Sequence, residues 1–209
     1  AHAVAAARGM EVTHWFVQLF DVDNETNLPT WYSSILLLVS AVLLAAIGNA
    51  ERNRTAWARH WLALSLIFIA LSADEVAGFH SALTGPARKL VALEGVLFLL
   101  AWVVPAAALL LVAAVVFARW FFHLPARTRT MAGLSAVIYV SGAIGMELWS
   151  GLLYAQGFPH GTAPYIAVST LEEAMEMGGL LLWNYALLDY AGSRGYGLAL
   201  RFTTVTGAK

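Results

Sequence analysis

The chain has 209 residues and a net charge of −1, with 60% hydrophobic and 12% charged side chains and a mean hydropathy of +0.69. Soluble domains carry roughly 45–50% apolar and about 25% charged residues, so this composition excludes an ordinary soluble protein and fits a polytopic membrane protein. Cys is absent, which removes disulfides, thiolate metal sites and Cys nucleophiles; no basic run with interleaved aromatics points to nucleic acid as a partner.

In chain order, "AHAVAAARGMEV" lacks the uninterrupted apolar core of a signal peptide. "MEVTHWFVQLF" places Val12, Trp15, Phe16, Leu19 and Phe20 on one helical face, the pattern of an interfacial amphipathic helix. "NLPTWYSS" turns at Pro29 and sets Trp31 and Tyr32 at a lipid boundary.

A spanning helix needs about 20 mostly apolar residues. Five segments qualify, Trp31–Ala50, Trp57–Phe79, Phe98–Phe122, Met131–Tyr154 and Pro164–Tyr190, so the fold class is an all-α bundle of five transmembrane helices in one integral membrane domain over 1–209. The connections "GNAERNRT", "HSALTGPARK", "HLPARTRT" and "QGFPHGTAP" are rich in Gly, Pro and polar residues. Arg88 to Leu97 reads as a short surface helix, and Pro105 as a kink in the third span.

Nine of twelve cationic residues, among them Arg52, Arg54, Arg59, Arg119, Arg127, Arg129 and Arg194, fall on one side of this arrangement. The positive-inside rule makes that side cytoplasmic, with the N-terminus outside and the C-terminus in the cytoplasm.

The run "STLEEAMEMGGLLLWNYALLDY" holds Glu172, Glu173 and Glu176 in an otherwise apolar stretch. Glu75 ends the second span beside Asp74, and Glu147 lies about two turns inside the fourth, so acids from three spans fall in the outer half of the bundle. Ser169, Glu172, Glu176, Gly179 and Trp183 share one stripe, with Glu173 turned away from it. Small residues, Gly142, Gly145 and Gly151 on the fourth span and Ala174, Gly178 and Gly179 on the fifth, allow the two backbones to approach closely.

Each acid at mid-span costs about 2.5–3.5 kcal/mol on insertion scales, so the group requires protons, shared protons or a bound cation. One reading is a metal centre with Glu75, His80, Glu147, Glu172 and Glu176 as ligands. Asp74, Glu173, His160 and Glu94 then serve as supporting or alternative ligands, and the mixed carboxylate and imidazole set suits iron, manganese or zinc, even as a metal pair. Such a site would serve an oxidoreductase or a lipid-acting hydrolase. No "ExxH" occurs, so the usual pattern of carboxylate-bridged di-iron bundles is missing. The alternative is a non-catalytic accessory subunit of a larger membrane complex, with the acids in a structural hydrogen-bond network to Ser169, Thr170, Tyr154 or Asn184. His60 and His123 could serve as axial haem ligands, but their Arg neighbours fit an interfacial role better. Asp189 reads as a partner for an Arg such as Arg194. The expected partners are membrane lipid and other membrane subunits.

The motifs "LPTWYSS", "LSADEVAGFH", "GAIGMELWSG" and "LEEAMEMGG", in this order, resemble a family of uncharacterised bacterial inner-membrane proteins. The likeness runs from about Asp21 to Tyr190 and implies the membrane topology and a role for the acidic motifs; no reaction comes with it.

Overall fold

A computed structural model of the protein describes residues 19–20, 27–79 and 103–196. Among the described residues the regular structure is helical: α1 (Leu28–Glu51), α2 (Ala58–Ala77), α3 (Val103–His123), α4 (Ala126–Ala155) and α5 (Ala163–Ser193). The interfacial helix expected near residues 10–20, its last two residues excepted, and the surface helix expected at 88–97 lie outside the described residues, as do His80 and Glu94.

Four helices, α1 to α4, are long and apolar enough to cross a membrane, judged by length and composition. The fifth expected span departs from this. α5 has 31 residues, ample length, but Glu172, Glu173, Glu176 and Asp189 dilute its apolar content.

The helix ends follow local chemistry. Asn27 caps α1 by accepting the Thr30 N–H at 2.7 Å, and Pro29 stands in the first turn, where its missing N–H costs nothing. α2 stops at Gly78, whose φ of 60° is the left-handed conformation glycine adopts without strain. α4 begins at Ala126, ahead of the expected Met131: hydropathy marks only the hydrocarbon-facing part, whereas the polar "ARTRT" continues the helix from the Pro125 cap. Pro105, expected to kink a span, stands within the first turn of the described part of α3.

α1 packs along α2, α5 packs along α4, and α1 and α5 meet in the centre. Hydroxyls and one amide bind these helices together. Ser65 Oγ donates to the Ala41 carbonyl at 2.8 Å, Ser135 Oγ to the Gly179 carbonyl at 2.8 Å, and Ser40 Oγ to Asn184 Oδ1 at 3.1 Å. Asn184 donates in turn to the carbonyls of Leu36 and Leu180. With lipid outside, such polar bonds and close backbone packing hold helices together where the hydrophobic effect does not. Leu44, Ile47, Trp61, Ala186 and Leu187 form a dry core toward one end.

α3 is attached differently from the other helices. Only Val103 and Trp120 are buried on it, and Leu109, Leu111 and Val115 are about 70% exposed. An apolar helix this open suits hydrocarbon surroundings.

Candidate functional site

The six acids expected in one half of the bundle are placed by three helices. Asp74 and Glu75 stand in the last turn of α2, Glu147 follows a break in α4, and Glu172, Glu173 and Glu176 lie on successive turns of α5. All six are half-buried. Glu176 has Glu173, Glu75, Glu172 and Glu147 within electrostatic reach, from three helices. Tyr139 on α4 is reached by Glu176, Glu75, Asp74 and Glu173.

The break in α4 is a π-helical segment, Ser141–Met146, that sequence periodicity did not reveal. It delivers Glu147 out of α-helical register with the preceding turns. Gly142 within it lies against α5: a Cβ there would stand 3.1 Å from the Glu172 carbonyl oxygen and 3.2 Å from Glu176 Cγ. Gly179 is tighter still, with Tyr139 Cβ and the Tyr139 backbone nitrogen both 2.9 Å from a Cβ built on it. These two glycines carry the close approach expected from the small residues. Gly145 and Gly178, expected in the same role, face open space.

Electrostatic reach is not ligand geometry. The set Glu75, Glu147, Glu172 and Glu176 does not form a metal site as it stands: among the described residues no three Asp, Glu or His side chains are grouped so as to hold a metal ion. Glu172 and Glu176 are a full turn apart on α5, and Glu75 and Glu147 come from two other helices. His80 and Glu94 fall outside the described residues. His160, in the connection between α4 and α5, packs its ring 4.4 Å from Tyr165 and 5.6 Å from Tyr154. Glu173 keeps Oε2 buried without a hydrogen-bond partner. Of the expected network partners, Thr170 donates to the Ile166 carbonyl, and Asn184 bonds to Ser40 and to backbone carbonyls.

The opposite end holds a carboxylate that sequence reasoning passed over. Glu51, the last residue of α1, is 1% exposed. Its Oε2 accepts from Thr55 Oγ1 at 2.6 Å, and its Oε1 accepts from Tyr190 Oη and Tyr196 Oη, both at 2.8 Å. Gly195, at φ 68°, ends α5 and turns Tyr196 back so that its N–H reaches the Ala191 carbonyl. Burial, and then the bond to Glu51, raises the Tyr196 phenol above its ordinary value. The Arg54 guanidinium lies over the Tyr196 ring and that of Arg194 over Tyr190, at 5.4 and 5.3 Å from the centroids. Thus the α1–α2 turn and the end of α5 are joined through one acid. The spacing of Glu51 and Thr55, i and i+4 across a predicted turn, was the only local signal of it.

Around this acid are packed aromatic rings. Trp61 lies 4.8 Å from Trp120 and 4.9 Å from Tyr190. His60 and His123 both rest on Trp57, at 4.9 and 5.1 Å between ring centroids. Asp189 pairs with Arg127 at 2.9 Å rather than with Arg194. All seven arginines among the described residues lie at this end, on the turn after α1, the start of α2, the end of α3, the start of α4 and just past α5.

No curated protein and no solved structure matches the chain. A family model described as "Domain of unknown function (DUF8692)" matches residues 1–190. The chain, with its acidic half, its π-helical break and its arginine-rimmed end, belongs to that family.

Proposed function

We propose that the chain is a five-span protein of a bacterial inner membrane, with its N-terminus outside and its C-terminus in the cytoplasm, and that its acidic half binds a divalent metal, iron, manganese or zinc. The observation that carries the metal reading is the reach of Glu176 to four further carboxylates on α2, α4 and α5. Like charges gathered in a poorly solvated layer need a cation or protons to offset them. Glu147, Glu172 and Glu176, with Glu75 from α2 and His80 by sequence position, are the proposed ligands, and Asp74, Glu173, His160 and Glu94 the supporting or alternative ones. The orientation follows from the arginines, which share one end as the positive-inside rule requires of a cytoplasmic face.

A second reading is favoured by a specific observation. The described side chains do not form a metal-holding group, which suits an accessory subunit of a larger membrane complex whose acids share protons and hydrogen bonds. Metal analysis of the purified protein, with melting curves before and after chelator, separates the two. A metal at 100 times its dissociation constant adds about 2.7 kcal/mol of stability. The metal reading predicts bound metal, a melting temperature lowered by chelator, and loss of both effects in the double variant Glu147→Gln/Glu176→Gln. A parent protein without metal, with a melting curve indifferent to chelator, overturns the metal reading and leaves the accessory reading in its place.

A further inference from the structure

We infer that the turn between α1 and α2 carries a cleft for the headgroup of an anionic lipid. The cleft is lined by Arg52, Thr55, Ala56, Ala58, Arg59 and Leu62. Arg52 and Arg59 are exposed, and among the described residues neither side chain is engaged in a hydrogen bond or ion pair. Internal counter-charge at this end is already committed. Asp189 is held by Arg127, and Glu51 is enclosed by three hydroxyl donors. Seven arginines therefore face two acids that are both engaged, and the remaining positive charge is balanced from outside.

The position and the floor of the cleft select a lipid as the source of that charge. It sits at the end of two membrane-length helices, the level at which headgroups lie. A guanidinium pair suits a phosphate, which each arginine can meet with two parallel hydrogen bonds. Below the arginines the surface turns apolar: Leu62 is followed at i+4 and i+7 by Leu66, 68% exposed, and Ile69, 47% exposed. These three share one face of α2 and form a track on which an acyl chain can lie while its phosphate stays at the arginines. The inference rests on the membrane-spanning hairpin and not on the metal reading, so a parent protein without metal leaves it standing.

The test measures binding of phosphatidylglycerol to the full chain in phosphatidylcholine nanodiscs, counted by native mass spectrometry. The variant Arg52→Gln/Arg59→Gln is compared with Arg119→Gln/Arg129→Gln, which removes the same charge from the same rim outside the cleft. The cleft variant is expected to lose about tenfold more affinity than its control, because each cleft arginine can meet the phosphate with two hydrogen bonds in addition to its charge. Equal losses in the two variants would reduce the effect to diffuse surface charge and overturn the proposal. Inorganic phosphate is the third arm. If it protects the parent against thermal unfolding as well as phosphatidylglycerol does, the site takes free phosphate and the lipid assignment is wrong.

Discussion

Glu51 and Glu173 lie on opposite halves of the same bundle, and each keeps carboxylate oxygen away from water. Glu51 meets the cost with three hydroxyl donors drawn from the adjacent turn and the end of α5, the arrangement by which a buried charge becomes a structural anchor. Glu173 buries Oε2 without a partner, among other acids that only add repulsion. The basic end is thus closed around its acid, whereas in the acidic half Glu173 buries an oxygen that no described donor meets. That difference separates a carboxylate bonded into the fold from one whose buried oxygen is not.

The largest test of this comparison is Glu51→Ala. Three hydroxyls lose their acceptor at once, two of them on the segment that closes α5, and Tyr190 is only 3% exposed. Leaving buried donors unpaired costs about 1–3 kcal/mol each, though not additively, so a loss of about 3 kcal/mol is expected in thermal or denaturant unfolding in detergent. A variant as stable as the parent would show that the hydroxyls find water instead and that this end is not anchored by Glu51.

A smaller effect is expected where the two halves join. In Gly179→Ala the new methyl meets the Tyr139 backbone nitrogen at 2.9 Å, so α4 and α5 must separate, at a cost of about 1–3 kcal/mol. Gly178→Ala next to it enters open space and is expected to be neutral, or stabilising by up to about 1 kcal/mol through helix propensity. Equal melting temperatures for the two variants would mean that the crossing is not set at Gly179.

The extent to which the sequence foretold these features follows from where their causes lie. Helix ends were legible to within a few residues where they are described, because an apolar run of membrane length also forms a helix, and the polar start of α4 was missed because helix outlasts hydrocarbon. The placement of the acids on three different helices was legible from the same runs. Their mutual geometry was not, since the π-helical segment arises from how Ser141–Met146 packs on α5 and leaves no periodic trace. Glu51 was hidden inside a turn signal: its tyrosine partners are 139 and 145 residues away, a separation that no local pattern spans.

The smallest expected effect gives the sharpest contrast, because one conservative change made in each half should act in opposite directions. Glu51→Gln replaces an acceptor oxygen with an amide that points donors at hydroxyls already donating, so one of the bonds from Thr55, Tyr190 or Tyr196 must break or reverse. Glu173→Gln removes charge from an oxygen that has no hydrogen bond to lose and relieves repulsion from Glu176. In chelator-treated protein the first change should lower stability by about 1–2 kcal/mol and the second should leave it unchanged or raise it by under about 1 kcal/mol. Melting curves of the two variants, taken side by side in the same detergent, read the sign directly. If Glu173→Gln were as damaging as Glu51→Gln, Glu173 would have a charge-dependent partner of its own, and the distinction between the anchored end and the acidic half would fail.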